Sequence, residues 1–142
     1  MRTLKISVLS LLIALTSTSA LAGGWGAGVA LFDGDHFGVH GRKTFVLGGD
    51  ISQITTGASV FFDPTFLTLD ADYHFVINPE NPSRFYPLVG LQLATDFDWT
   101  EFGINAGGGV DFKLTQTRDA FFELKYVISD LDGFNLALGL KF

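Results

Sequence analysis

The sequence predicts an all-β fold. The expected form is a transmembrane up-and-down antiparallel β-barrel of about eight strands, following an N-terminal signal peptide. Three observations carry this expectation. First, the stretch Phe134 to Phe142 alternates strictly. Phe134, Leu136, Leu138, Leu140 and Phe142 fall on one face, and Asn135, Ala137, Gly139 and Lys141 on the other. Successive side chains of a strand point to opposite faces, so this is a β pattern with an oily side and a small or polar side. Second, Met1 to Ala22 carries Arg2 and Lys5, an apolar run from Ile6 to Leu15, and the A-x-A triplet Ala20-Leu21-Ala22. That is the layout of a cleaved secretory signal, and the apolar run is shorter than the roughly 20 residues a spanning helix needs. Third, removing residues 1–22 leaves 23–142 as one domain of 120 residues. That length suits about eight strands of roughly 9–11 residues with turns.

The elements follow in order. The first strand is Trp25–Phe32, with Trp25, Ala27, Val29 and Leu31 outward and Gly24, Gly26 and Gly28 inward. Asp33-Gly34-Asp35 turns the chain. The second is Phe37–Val46, with Phe37, Val39 and Phe45 outward and His40, Arg42 and Thr44 inward. Arg42 and Lys43 are adjacent, so the phase puts Lys43 outside, near a strand end where its stem can snorkel. The third, Ile51–Phe62, has a weakly apolar start; the boundaries within 36–62 are the least defined. The fourth, Phe66–Ile77, alternates strongly. Leu67, Leu69, Ala71, Tyr73, Phe75 and Ile77 point out, and Thr68, Asp70, Asp72 and His74 point in. Asn78–Ser83, with two prolines, is a loop. The fifth, sixth and seventh strands are Arg84–Ala94, Glu101–Leu114 and Ala120–Ser129. Glu123 and Lys125 face inward on the seventh.

A soluble barrel also alternates, but it buries the apolar face. Aromatics at the strand ends favour lipid outside. Trp25, Phe45, Phe75, Phe85, Phe112 and Phe142 gather near one rim, and Phe37, Phe62, Trp99, Phe102 and Phe134 near the other, as two girdles. The chain thereby resembles small bacterial outer-membrane β-barrel proteins, the outer-membrane protein β-barrel domain family that includes OmpA/OmpX-like barrels. The resemblance is carried by the terminal strand, by Phe85-Tyr86-Pro87-Leu88-Val89-Gly90, by Gly103–Phe112 and by Phe122-Glu123-Leu124-Lys125-Tyr126. It implies residence in the outer membrane of a Gram-negative bacterium, among lipid and lipopolysaccharide. It also implies that the barrel-assembly machinery reads Phe142 as an assembly signal. The family mixes adhesins, stress proteins, enzymes and barrels of unknown role, so it leaves the role of this porin-like chain open.

Composition narrows the function classes. The sequence has no cysteine, which removes disulfides and thiolate metal sites. The mature chain holds seven basic and fifteen acidic residues, a net charge of −8, which is unsuited to nucleic acid. No cofactor motif is present.

Two constellations are candidates. Arg42, Asp70, Asp72, His74, Glu123 and Lys125, with His40 near, are expected at mid-height in the lumen. An eight-stranded interior is only wide enough for side chains, so a plug of ion pairs is the first reading. An ion path or a carboxylate–histidine acid–base site is the second. Ser59, His74 and Asp72 supply the types for a Ser-His-Asp arrangement, but no spacing supports it. The second constellation is the rim formed by Asp33, Asp35, Asp63, Asp96, Asp98, Asp130 and Asp132. It offers hard oxygen ligands for divalent cations shared with lipopolysaccharide phosphates, or simply good turn residues. The turns on that rim are short, whereas binding barrels work through long loops. The expected role is therefore structural or envelope-maintaining, in a monomer with no catalytic site. A narrow channel or small-ligand barrel is the alternative, and a lipid-modifying enzyme is less favoured. Deleting Phe142 should reduce insertion into membranes in cells more than a change at the inward-facing Phe61. Fractionation of the two variants measures this, and equal insertion would remove Phe142 from the assembly role.

Overall fold

The computed structural model describes residues 24–142; the expected signal peptide lies outside the described residues. Alternation of apolar and polar residues produces eight strands. They are β1 Trp25–Phe32, β2 His36–Gly48, β3 Ser52–Phe61, β4 Phe66–Phe75, β5 Ser83–Thr95, β6 Thr100–Lys113, β7 Asp119–Ile128 and β8 Gly133–Lys141. Each pairs antiparallel with the next, and β8 pairs with β1 to close the barrel. The seam continues past β8: Trp25 N–H donates to the Phe142 carbonyl at 3.0 Å, and Phe142 N–H donates to the Trp25 carbonyl at 2.8 Å. Closure leaves no unpaired strand edge, which a sheet in hydrocarbon requires. Strand ends shift from expectation by one or two residues, most visibly in β2, which runs on to Gly48 beyond a register irregularity at Val46/Gly48.

The phase is the one the sequence predicts. Phe37, Phe75, Phe85, Leu91, Phe102, Leu138 and Phe142 are exposed on the outer wall. Asp70, Asp72, His74, Glu123 and Lys125 are buried in the lumen. A wall this apolar has no place in water and is suited to a bilayer core. Lys43 does lie on the outer face, but it does not extend outward. It is 5% exposed, with its ammonium 4.4 Å from the Trp25 ring centroid and 5.7 Å from that of Phe45. Both rings cover the charge by cation–π contact.

One girdle residue is placed differently. Trp99 turns in from the rim and packs near Phe66, ring centroids 6.5 Å apart. The Asp96 side chain holds its backbone there, so the loop geometry overrides the expected outward position. Trp99 joins an aromatic cap that alternation alone does not reveal. Phe32, Phe61 and Phe66 fill the lumen end away from the termini with Ala30 and Val127. Phe61 stacks on Phe66 at 4.8 Å and 20°, and Phe32 meets both edge-on at 5.9 and 5.8 Å.

The cap makes a stability prediction. Phe61 is 0% exposed, and truncating a buried Phe costs about 3–5 kcal/mol. Phe61→Ala should lower the urea midpoint of the refolded barrel markedly, whereas Phe102→Ala, on the lipid face, should change it little in micelles. Equal midpoints for the two variants would mean that the cap contributes no packing energy. Because Phe61 supports the core, its effect on folding must be separated from its effect on insertion when it is compared with Phe142.

Candidate functional site

Below the cap, the pleat aims alternate side chains of β2, β4, β5, β6 and β7 into one narrow space. Arg42 on β2 donates from Nη1 to Glu123 Oε2 on β7 at 2.8 Å. Its Nη2 lies 3.6 Å from Asp111 Oδ1 on β6 and 3.4 Å from the Tyr86 hydroxyl on β5. Tyr86 in turn donates to Glu123 Oε2 at 3.0 Å. Asp111 also accepts from Lys141 Nζ at 2.7 Å. The guanidinium lies over the Phe121 ring, its Cζ 3.6 Å from the ring centroid. A second group centres on Lys125 of β7, whose ammonium lies 2.7 Å from Asp72 Oδ2 and 3.2 Å from Asp70 Oδ1 on β4. Asn105 of β6 donates to the other Asp72 oxygen at 2.8 Å.

The close quarters depend on glycine. A Cβ at Gly90 would collide with the Asp72 carboxylate, and one at Gly109 would come within 2.5 Å of the Tyr86 hydroxyl. Missing side chains on β5 and β6 thus provide the volume that the network occupies.

The structure brings Arg42 to Glu123, and Lys125 to Asp70 and Asp72. His74 takes a different position from an acid–base partner. Its ring stacks on Tyr86 at 4.3 Å and 7°, and its Nε2 stays 3.7 Å from Glu123 Oε2, beyond hydrogen-bond range. The Ser59–His74–Asp72 arrangement is not assembled. Cross-strand register sets Ser59 opposite His40, and the Ser59 hydroxyl bonds His40 Nδ1 at 2.8 Å instead. Ligand atoms of Asp72, His74 and Glu123 lie within 4.8 Å of one another. Both carboxylates already hold a cationic side chain, so a metal there would have to displace Lys125 or Arg42.

Sequence reasoning leaves Tyr86 and Phe121 unassigned and gives Asp111, Asn105 and Lys141 no partners. Their signal is positional: each shares the inward phase of its strand. The choice of partner is a matter of barrel shear, which no single strand encodes.

The seven rim aspartates all lie in or beside the turns at the end away from the termini. They act locally. Asp96 Oδ1 accepts from the backbone N–H groups of Asp98 and Trp99, both at 2.8 Å. Asp33 and Asp63 hold left-handed turn positions at φ 52° and 58°. Asp132 accepts from the Tyr126 hydroxyl at 2.7 Å. Among the described residues, no three of them bring ligand atoms into mutual reach. The Trp99 N–H holds the Asp96 carboxyl below the ordinary carboxylate range. The folded value is the lower one, so the turn is favoured near neutral pH and loses this support as pH falls through that value.

No protein-family model and no curated protein matches the sequence. Solved structures do match the fold. The N-terminal β-barrel domain of Pseudomonas aeruginosa OprF superposes with a TM-score of 0.71 at 17% identity, covering 84% of this chain and 95% of that one. A de novo designed transmembrane β-barrel gives 0.63 at 12% identity, covering 84% and 94%. The Yersinia pestis outer membrane protein Ail, in a phospholipid bilayer nanodisc, gives 0.56 at 12%, covering 84% and 98%. The chain has the eight-stranded fold of outer-membrane barrels. A designed barrel matches about as well as evolved ones, so the likeness specifies the architecture and leaves the role to the side chains.

The Arg42 pair yields a prediction. Arg42→Ala leaves Glu123 buried with only the Tyr86 hydroxyl as a donor, and stranding a buried charge costs about 3–5 kcal/mol. Replacing both members, Arg42→Met with Glu123→Leu, should recover most of the loss. Heat-modifiable gel migration of the three proteins reads the order. A double variant no better than Arg42→Ala would show that the pair's charge is not the source of the effect.

Proposed function

We propose that this chain resides in the outer membrane of a Gram-negative bacterium as a closed monomeric barrel. Its role is structural or envelope-maintaining, without a catalytic site. One observation carries this reading: charged side chains meet across the lumen. Arg42 on β2 reaches Asp111 on β6, four strands away, and Lys125 on β7 reaches Asp70 and Asp72 on β4, three strands away. Pairs from opposed walls occupy the path that an ion would take. Above them the rings of Phe32, Phe61 and Phe66 pack against one another across the lumen. The apolar outer wall and its aromatic girdles support the membrane location.

The absence of a catalytic site is supported by access. His40 and Ser59, the one serine–histidine contact in the lumen among the described residues, are 7% and 1% exposed. The turns on the rim away from the termini span three or four residues each, too short to form the loops through which barrels grasp partners.

The charged lining gives the narrow-channel reading its one supporting observation, and conductance decides between the two. Purified protein in planar bilayers should show no steady current, while a variant stripped of Arg42 and Glu123 should flicker as water enters. Stable, ion-selective current in the unaltered protein, abolished by Asp72→Asn, would replace the plug with a channel.

A further inference from the structure

We propose that the lumen between the aromatic cap and the ion-pair network holds a divalent cation of the Ca²⁺ type, bound by oxygens of Thr68, Asp70, Gln92 and Glu101. The first argument is charge. In the lower group, Arg42 and Lys141 face Glu123 and Asp111, two against two. In the upper group, one ammonium, Lys125, faces two carboxylates, Asp70 and Asp72. Asp72 is the better served, with Lys125 at 2.7 Å and the Asn105 amide at 2.8 Å. The excess negative charge therefore rests on Asp70, which is 7% exposed. An uncompensated buried charge is strongly unfavourable, and a counter-ion removes the penalty.

The second argument is the chemistry of the unpartnered atoms. Asp70 Oδ2, Thr68 Oγ1, Gln92 Oε1 and Glu101 Oε2 are all shielded from solvent and lack a hydrogen-bond partner. Thr68 and Gln92 are themselves 0% and 3% exposed. Three of the four atoms are acceptors only, and the single hydroxyl proton of Thr68 can serve only one of them. Buried polar atoms find partners in native proteins, and a set this rich in acceptors calls for a cation, with water completing its shell.

The third argument is register. Thr68 stands opposite Ala94, and Ala94 opposite Glu101. Asp70 stands opposite Gln92, and Gln92 opposite Gly103. The four residues thus occupy two neighbouring inward rows of β4, β5 and β6, a patch roughly 10 Å across at the usual strand spacing. Ala94 keeps the space over β5 free of a long side chain, and Val127 and Ser129 pack against Gly103 and bound the patch on its β6 side. Two carboxylates, an amide oxygen and a hydroxyl are hard donors of mixed reach. That suits the flexible coordination of Ca²⁺ better than the strict octahedron of Mg²⁺. Glu101, half-buried beside the rim, is the route in, and the rim aspartates raise the local cation concentration.

The test is refolding of the mature chain from urea into detergent micelles free of lipopolysaccharide, with Ca²⁺ or with chelator. Cation present during closure makes entry through the finished barrel unnecessary. Ca²⁺ should raise the midpoint of heat-induced unfolding by several degrees, and Mg²⁺ by less. Asp70→Asn, which keeps the Lys125–Asp72 pair, and Thr68→Val should both abolish the Ca²⁺ response. A rim variant combining Asp96→Asn, Asp98→Asn and Asp132→Asn should retain it. No Ca²⁺ response in the unaltered chain, an undiminished response in Asp70→Asn, or a response lost in the rim variant would each overturn the lumen site.

Discussion

Closure of β8 onto β1 is the constraint from which the rest of the structure follows. Strands in a bilayer must satisfy every backbone group within the sheet, so the sheet has to close. Closing at eight strands fixes a lumen only as wide as the side chains that line it. Whatever points inward must then meet something from another wall, at contact distance and away from water. The polar phase of each strand thus becomes a packing problem and an electrostatic problem together.

The two ends of the lumen solve that problem differently. Near the rim away from the termini, Phe32, Phe61 and Phe66 fill the space with rings, and no charge has to be matched. Toward the terminal end the filling is ionic, and each charge is placed against another from a different strand. Tyr86 and Phe121 belong to both solutions. The Tyr86 ring packs against His74 while its hydroxyl serves Glu123, and Phe121 supports the Arg42 guanidinium by its face. Unpartnered polar atoms occur at several levels of the lumen, and those of Thr68, Asp70, Gln92 and Glu101 lie on the side where a carboxylate is in excess.

Much of this fold is legible in the chain, because the period-two pattern states the face of each residue directly. The inward phase of Asp70, Asp72, His74, Glu123 and Lys125 and the outward phase of Leu91, Phe102 and Leu138 follow from alternation alone. Partner choice does not follow. Ser59 sits beside His40 because β3 pairs with β2 in one register, and His74 sits over Tyr86 because β4 pairs with β5 in another. Trp99 shows a different limit. Its position at a strand end suits a lipid-facing girdle, but an Asx turn at Asp96 rotates the loop and brings the ring to the cap. The acidic rim reads by composition as a ligand set, yet the turn has already engaged the Asp96 carboxylate, and the Tyr126 hydroxyl engages that of Asp132.

Lys43 carries the argument to the outer surface. Adjacent basic residues in a strand must face opposite ways, so a chain that sends Arg42 to the lumen necessarily sends Lys43 toward lipid. A bare ammonium there would be expensive away from the interface. The site is near the terminal rim, and Trp25 and Phe45 lie close enough to cover it. Trp25 faces Lys43 directly in the β1–β2 register, so one girdle residue both marks the membrane boundary and shields the charge that lumen chemistry forces outward. The interior network and the exterior girdle are therefore linked through a single dipeptide.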